Sequence, residues 1–182
     1  MRVIAGSARS LKLIAPEGVD TRPTLDRYKE TLFNVIQTEI PFCRFLDLFA
    51  GSGAVGIEAL SRGAAFAAFV DSSKESIKCI NENLNHTKLF DKAQVIGRDV
   101  FTALPLLKGG FDVIFIDPPY GKLLERRALE LLPMCDILKE DSLIIVESDL
   151  DTDFSYLSEL GYEVIKEKVY KTNKHIFIKR AE

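Results

Sequence analysis

The residues whose types and spacing are best suited to chemistry are Asp117, Pro118, Pro119 and Tyr120, which directly follow an apolar run at 113–116. A continuous apolar run of this kind predicts a strand that is buried on both faces. Because prolines cannot donate backbone hydrogen bonds to a neighbouring strand, we expect the strand to end there. A carboxylate, a free carbonyl and an aromatic ring are therefore predicted at the carboxyl end of a strand, where open α/β sheets bind ligands.

A glycine-rich segment at 47–56 is the second candidate site. Gly51, Gly53 and Gly56 match the pattern G-x-G-x-x-G, and Asp71 follows 18 residues after Gly53. This is formally the fingerprint of a dinucleotide-binding site between a strand and a helix. A nicotinamide dinucleotide is one candidate ligand, and an oxidoreductase is the corresponding class of enzyme.

Asp47 favours a different ligand. A carboxylate just before the glycines would repel a pyrophosphate but would attract the ammonium of an amino acid and a sulfonium, so we predict S-adenosylmethionine as the cofactor. Asp71 is then placed to accept both ribose hydroxyls, and Asp99 to accept the adenine amine. Each acid has a structural alternative, because Asp after a strand often caps the next helix. The predicted cofactor-binding residues are Asp47, Phe49, Gly51, Gly53, Asp71, Ser72, Asp99 and Val100.

Strand-like and helix-like segments alternate from Arg44 onwards, which indicates βαβ units and a mostly parallel sheet with helices on both faces. A helix is expected at 154–160. The connection at 171–174 is too short for a crossover helix, so the last two strands should form an antiparallel hairpin. This architecture resembles the Rossmann-like, seven-stranded fold of S-adenosylmethionine-dependent methyltransferases. The predicted strands are 45–50, 65–71, 93–97, 111–117, 142–147, 163–170 and 175–179.

The chain divides into a predicted N-terminal extension, residues 1–43, and a predicted methyltransferase domain, residues 44–182. The extension should contain a β-hairpin, with strands at 2–5 and 11–15, and a helix that begins near Thr24. Residues 1–44 carry seven Lys or Arg and five Asp or Glu, a net charge of +2, whereas the remaining 17 basic and 22 acidic residues give −5. This asymmetry predicts that the extension faces a polyanion.

Composition argues against several other classes of protein. The net charge of −3 does not suit a protein that coats nucleic acid without specificity. Three dispersed cysteines and two isolated histidines favour reduced thiols and give no basis for a zinc site, a catalytic triad or a disulfide framework. No apolar run approaches the roughly 18 residues that span a bilayer. We therefore expect a cytoplasmic protein without a metal or a membrane partner.

The combination of Asp117-Pro118-Pro119-Tyr120 with D-x-F-x-G-x-G at 47–53 resembles the amino-methyltransferases that modify exocyclic nitrogens of nucleobases. The chemistry accounts for the residue types, because hydrogen bonds from an amine to the Asp117 carboxylate and the Pro118 carbonyl can direct the nitrogen lone pair at a methyl group. Tyr120 can stack on the base. The base must be unpaired or flipped out of a duplex.

The segments 2–6, 13–16 and 21–34 carry a closer resemblance, above all R-P-T-x-D-R at 22–27. They are similar to the bacterial 16S ribosomal RNA guanine-N2 methyltransferases of the RsmD type. The resemblance implies methyl transfer to the N2 amine of one guanine in 16S ribosomal RNA, within an assembled small-subunit particle. It also implies that Arg22, Thr24 and Arg27 hold the RNA or the cofactor side. Where the family commonly has Gly-Arg, this chain has Ser10-Leu11, which leaves Arg9 as a nearby cation.

Two further hypotheses stay open at this point. An adenine-N6 methyltransferase acting on DNA or RNA would also use Asp-Pro-Pro-Tyr, although 182 residues leave little room for the additional recognition domain of DNA enzymes. A non-catalytic RNA-binding factor for ribosome assembly belongs to a different class. The retained series of acids at the predicted strand ends argues against it.

Overall fold

The computed structural model describes residues 1–16 and 23–181. The prediction for Arg22 lies outside these residues. The strands are β1 (Arg44–Leu48), β2 (Phe66–Asp71), β3 (Ala93–Gly97), β4 (Phe111–Ile116), β5 (Leu138–Asp149), β6 (Tyr162–Val169) and β7 (Asn173–Arg180). The α-helices described are α1 (Pro23–Val35), α2 (Ala54–Ser61), α3 (Lys74–Thr87), α4 (Val100–Ala103) and α5 (Leu124–Leu131).

The strands form one seven-stranded sheet in the order β3-β2-β1-β4-β5-β7-β6. Strands β3, β2, β1, β4 and β5 run parallel to one another. Strand β7 is antiparallel to both of its neighbours, β5 and β6. The predicted fold class, a mostly parallel sheet that ends in an antiparallel hairpin, is confirmed.

The central strands bury both of their faces, and alternate residues enter two separate cores. In β1, Phe45 belongs to the core on one face and Leu46 to the core on the other. In β4, Phe115 and Ile116 divide in the same way. All four side chains are at most 2% exposed. This burial explains why the central strands are mostly apolar, since successive residues of a strand point to opposite faces.

Helices cover both faces of the sheet. On one face, α1 contributes Leu32 and Phe33 to the core, together with Ile36 just after α1 and residues of α2 and α3. On the other face, α4 and α5 contribute their apolar sides. Ser73 caps α3, because its side chain accepts a hydrogen bond from the backbone N–H of Ser76. This arrangement places the amino ends of the helices at the edge of the sheet where the parallel strands end.

Residues 1–16 pack against α2 and share its core. The carboxylate of Glu58, which is fully buried, accepts hydrogen bonds from the backbone N–H groups of Ile4 and Ala5 at 2.8 and 3.0 Å. The ammonium of Lys29, in α1, lies 3.2 Å from the same carboxylate. Buried charged groups therefore join the extension to the sheet domain. The division of the chain at residue 43, with RNA contact assigned to the extension, stays a prediction.

Two local predictions differ from the structure. The predicted N-terminal hairpin is present in part, as one antiparallel bridge between Arg2 and Lys12 that is flanked by backbone hydrogen bonds from Val3 to Leu11 and from Leu13 to Met1. The pairing extends no further, because the backbone N–H groups of Ile4, Ala5 and Ala8 donate to side chains of α2. The helix expected at 154–160 was wrong in type, since only a 3-10 turn, Ser155–Leu157, forms there. That single turn already buries Tyr156 and Leu157, and Gly161 follows with a positive φ of 74°, so an α-helix of several turns has no room.

Candidate active site

Strands β1 and β4 bring the two candidate motifs together at the point where the strand order reverses. Asp47 in β1 is in register with Phe115 in β4. The backbone N–H of Asp117, just beyond β4, donates to the carbonyl of Leu48 at 3.4 Å. In open α/β sheets the crevice at such a reversal is where ligands bind. The glycine-rich loop and the Asp-Pro-Pro-Tyr segment therefore face one common space.

Two carboxylates from neighbouring strands shape the glycine-rich loop after β1. Asp47 accepts a hydrogen bond from the backbone N–H of Gly56 at 2.9 Å, and Asp71 accepts one from that of Gly51 at 2.9 Å. Gly53 has a φ of 74°, a backbone conformation that other residues adopt at a cost. A Cβ on Gly56 would lie 2.3 Å from the ring of Phe69, so the first turn of α2 can approach β2 only without a side chain.

A cavity of about 400 Å³ opens above the ends of β1, β2 and β4, and every one of its lining residues was predicted as a site residue from the sequence. They are Phe49, Asp71, Ser72, Asp99, Val100, Asp117, Pro118, Pro119 and Tyr120. We call this the first cavity. Phe49 forms part of its wall and is held by an edge-on contact with Phe101, whose ring carries the guanidinium of Arg127 at 3.9 Å.

A second cavity of about 210 Å³ adjoins the first, and Phe49 and Asp117 line both. The predicted residues Asp47 and Gly51 line this second cavity. Six further lining residues, which were not predicted as site residues, come from the N-terminal extension and from strands β5 and β7. They are Met1, Tyr28, Lys29, Leu32, Glu147 and His175. Their sequence positions did not indicate this role, because only the packing of the extension and the pairing of β5 with β7 bring them to the cavity.

Asp117 is electrostatically distinct from an ordinary surface carboxyl. Burial raises its pKa well above the usual value, and the negative charges of Glu147 and Asp47 raise it further. Within the part of the chain that the structure describes, its carboxyl oxygens have no protein hydrogen-bonding partner. Asp117 is therefore both a stronger base than an ordinary Asp and free to bind an incoming group.

Asp47 and Glu147 respond differently to the same surroundings. Burial raises the pKa of Asp47 to about 8, although the hydrogen bond from Gly56 opposes the change. Burial also acts to raise the pKa of Glu147, but the hydrogen bond and the charge of His175, together with hydrogen bonds from Asn173 and Tyr120, outweigh burial and hold the pKa below its usual value. Glu147 therefore holds its negative charge more readily than Asp47 and Asp117, which hold protons more tightly.

Asp71 and Asp99 have structural partners in addition to any ligand. Asp71 accepts hydrogen bonds from the backbone N–H groups of Gly51 and Ser73. Asp99 caps α4 by accepting from Phe101 and Thr102. Asp99 therefore caps the next helix, which is the structural alternative that the sequence offered for this acid. Since each carboxylate oxygen has two lone pairs, capping leaves acceptor capacity towards the first cavity.

The cations predicted to bind RNA lie in different parts of the molecule. Arg27 is exposed on α1, and Thr24 lies in the first turn of the same helix. Arg9 is also exposed, but its turn is tied to the end of α2 by a hydrogen bond from Ser7 to the carbonyl of Ser61. The eight residues of α2 separate that end from the glycine-rich loop by about 12 Å. The structure does not bring Arg9 into either cavity.

Among the described residues, no group of three or more His, Cys, Asp or Glu side chains is arranged to hold a metal ion. None of the helices described combines the length and the apolar character that crossing a bilayer requires.

The strand order, the glycine-rich loop after β1 and the acids at successive strand ends define the methyltransferase fold. The family described as conserved hypothetical protein 95 matches residues 1–179, and the chain belongs to this family. Its relatives are named as ribosomal RNA methyltransferases, which confirms the methyltransferase class and the RsmD-like family predicted from the sequence.

Individual relatives agree over most of the chain. A protein of Bacillus subtilis named "Putative rRNA methyltransferase YlbH" is 42% identical over 156 residues, which are 84% of this chain and 85% of the relative. The ribosomal RNA small subunit methyltransferase D of Haemophilus influenzae is 37% identical over 171 residues, or 92% and 88% of the two chains. The solved structure of "Putative methyltransferase yhhF" from Escherichia coli has a TM-score of 0.86 at 32% identity and covers 100% of this chain and 98% of its own.

Proposed function

We propose that this protein transfers a methyl group from S-adenosylmethionine to the exocyclic N2 amine of a guanine in 16S ribosomal RNA, within a small-subunit particle. The observation that carries the proposal is the position of Asp117. Its unpartnered carboxyl lies where the two cavities meet, beside the residues predicted to hold a cofactor. Such a position suits a group that binds the acceptor amine directly in front of a methyl donor.

The residues of the two cavities fit the cofactor chemically. Gly51 leaves open space, since a Cβ there would meet no atom within 4 Å, so a ligand can approach the backbone. Asp47 offers a carboxylate for the ammonium of the amino-acid part. Asp71 and Asp99 offer acceptors for the ribose hydroxyls and the adenine amine. When bound, S-adenosylmethionine supplies a methyl group on a positively charged sulfur, which is a good leaving group.

The chain's own contribution is to position and deprotonate the acceptor amine. Asp117 and the carbonyl of Pro118 accept hydrogen bonds from the two amine protons, and Tyr120, with 42% of its surface exposed, offers a ring face to the base. As the new N–C bond forms and the S–C bond breaks, the nitrogen must lose one proton. Asp117 is the nearest base that can accept this proton, and its raised pKa suits that role.

The choice of guanine N2 and of 16S ribosomal RNA has separate support. Asp-Pro-Pro-Tyr is compatible with any exocyclic base amine. The family resemblance of the N-terminal segment narrows the acceptor to guanine N2, and the Haemophilus influenzae relative is named for the small ribosomal subunit. Arg27 is an exposed cation on α1, the helix that also supplies Tyr28 and Lys29 to the second cavity.

The test is to incubate the protein with tritiated S-adenosylmethionine and, in separate reactions, small ribosomal subunits that lack the modification, naked 16S RNA and duplex DNA. Nucleosides are then released and separated. We expect label in N2-methylguanosine from the subunits, and no label with the Asp117→Asn protein. Label in N6-methyladenosine would select the adenine enzyme, whereas no label with any substrate would favour a binding role. Asp136→Asn, at an exposed position outside both cavities, is the matched control.

A further inference from the structure

We propose that Glu147 is a positioning residue for methyl transfer, which holds the Tyr120 hydroxyl in place and whose charge controls the neighbouring Asp117 carboxyl. The inference rests on the proposed function and adds to it a residue from outside the Asp-Pro-Pro-Tyr segment. Glu147 is 30 residues away from Asp117 in the sequence but lines the same second cavity.

Three hydrogen bonds fix the Glu147 carboxylate. One oxygen accepts from the Tyr120 hydroxyl at 3.1 Å and from the Asn173 side-chain amide at 2.6 Å. The other oxygen lies 2.9 Å from Nε2 of His175, which is directly opposite Glu147 in the antiparallel β5–β7 pair. Strand β7 therefore supplies two partners that anchor the carboxylate. The third partner, Tyr120, is the aromatic residue that is proposed to face the base.

The anchor extends from His175 back to the N-terminal helix. His175 is 1% exposed, and its Nδ1 lies 3.1 Å from the Tyr170 hydroxyl. When Nε2 of His175 donates to Glu147, Nδ1 faces the Tyr170 hydroxyl, so both ring nitrogens have a partner. The Tyr170 ring packs on the Tyr28 ring of α1, with centroids 4.7 Å apart. A continuous series of contacts thus joins α1 to Tyr120.

The charge of Glu147 acts on Asp117 directly. The titratable or charged groups that line either of the two cavities beside Asp117 are Tyr28, Lys29, Asp47, Asp71, Asp99, Tyr120, Glu147 and His175. Lys29 is engaged by Glu58, and the pKa of Asp47 is itself raised to about 8, so Glu147, whose pKa is held below its usual value, is the anion whose charge acts most strongly on Asp117. Burial is the largest cause of the raised pKa of Asp117, and the charge of Glu147 is the next. Removing that charge should therefore lower the pKa of Asp117 in part.

The test compares Glu147→Gln, Glu147→Asp and Tyr120→Phe with the wild-type protein, by following kcat/KM against pH on small-subunit particles. Because Asp117 must be ionised to accept a proton, activity should rise with pH through its pKa. Glu147→Gln should move that rise to lower pH by about one unit or more, and should lower kcat about tenfold with little change in KM for the cofactor. Glu147→Asp keeps the charge and should keep the wild-type pH dependence.

Tyr120→Phe separates the hydrogen bond from the charge. It should lower kcat without moving the pH dependence, because Glu147 remains ionised. A wild-type pH dependence in Glu147→Gln, or losses that appear only as lower thermal stability, would contradict the proposal. If Glu147→Gln does not fold, Asn173→Ala takes its place, since it removes one anchor and retains the charge. Unchanged kcat in both Asn173→Ala and Tyr120→Phe would also overturn the inference.

A measurement that does not require methyl transfer distinguishes this inference from the proposed function. The pKa of Asp117 can be measured by carbon-13 NMR of labelled Asp carboxyls, with Asp117→Asn used to assign the signal. A lower pKa of Asp117 in Glu147→Gln supports the electrostatic role even if the RNA substrate has been chosen wrongly. If Glu147→Gln leaves the pKa of Asp117 unchanged while the wild-type protein methylates RNA, the proposed role of Glu147 is wrong and the proposed function stands.

Discussion

The first and second cavities meet at Asp117 but are built in different ways. Every lining residue of the first cavity lies at or just beyond the end of a parallel strand, in β1, β2, β3 or β4. The second cavity takes its walls from α1, from the glycine-rich loop and from the facing residues of β5 and β7. Local sequence motifs line the first cavity, because these motifs all lie at one edge of the sheet. The second cavity forms only where residues distant in the sequence pack together.

The difference does not follow the division between cofactor and acceptor. The first cavity combines Asp71 and Asp99, predicted to bind the cofactor, with the Asp-Pro-Pro-Tyr segment, predicted to bind the base. The second cavity combines Asp47 and Gly51, predicted to bind the cofactor, with the N-terminal extension and the antiparallel strand β7. We infer that features specific to this family reside in the wall formed by α1, since that is where the family resemblance is most specific.

Asp117→Asn tests the junction of the cavities and should have the largest effect. We expect kcat to fall by about 10²–10⁴-fold, because both the hydrogen-bond acceptor and the proton acceptor are lost. Cofactor affinity, measured by calorimetry, should change little. Turnover close to the wild-type rate would remove Asp117 from the reaction.

The same substitution should also stabilise the protein at pH 7–8. The pKa of Asp117 is raised in the folded state, so this carboxyl favours folding when it is protonated and disfavours folding as the pH rises through that pKa. Asn cannot ionise, and we expect a gain of about 1 kcal/mol in the free energy of unfolding at pH 8. Urea denaturation at pH 5 and pH 8 checks this, and a gain that does not grow with pH would contradict it.

Asp47→Asn tests the cofactor side of the second cavity. It should weaken S-adenosylmethionine about 10–100-fold, through the lost charge on the ammonium. In the wild-type protein, whose free Asp47 has a pKa of about 8, a cationic ligand must displace a proton at pH 6–7. Affinity should therefore fall about tenfold for each unit of pH below 8, and Asp47→Asn should lose this dependence. A pH-independent affinity in the wild-type protein would argue against an ammonium next to Asp47.

Gly6→Ala tests the attachment of the extension that supplies Met1 to the second cavity. Gly6 has a φ of 85°, and a Cβ there would lie 1.8 Å from the carbonyl oxygen of Ser61. Gly63 also has a positive φ, 108°, but a Cβ there meets nothing within 4 Å. Gly6→Ala should cost roughly 1–3 kcal/mol more than the matched Gly63→Ala in urea denaturation. Equal costs would mean that the extension is not held at this point.

Arg27→Ala should have the smallest effect. If Arg27 contacts an RNA phosphate, its loss should weaken RNA binding a few-fold and reduce the slope of log affinity against log salt concentration by about one. Arg9, which the structure places away from both cavities, should matter less, and Lys166→Ala, exposed on the outer strand β6, serves as the control. Equal effects of all three variants would indicate only general electrostatic attraction.

Much of the structure of this protein could be predicted from its sequence. The central parallel strands follow from apolar runs, because a strand buried on both faces can hold almost nothing else. The lining of the first cavity follows too, since the residues after such strands must share one edge. The failures were local. One helical turn was taken for a helix at 154–160, and β5 begins at Leu138, through polar residues that precede the predicted strand at 142–147. The N-terminal hairpin is shorter than predicted, with one bridge between Arg2 and Lys12.

The sequence by itself therefore determined the fold, the cofactor edge and the identity of Asp117 as the central acid. Only the tertiary structure decided which residues surround that acid. Strand β7 inserts between β5 and β6, and this places His175 opposite Glu147, 28 residues away. The periodicity of one strand specifies its buried faces but not its neighbour in the sheet. Neighbours follow from the packing of the whole chain, and in this protein that packing supplies the charge beside Asp117.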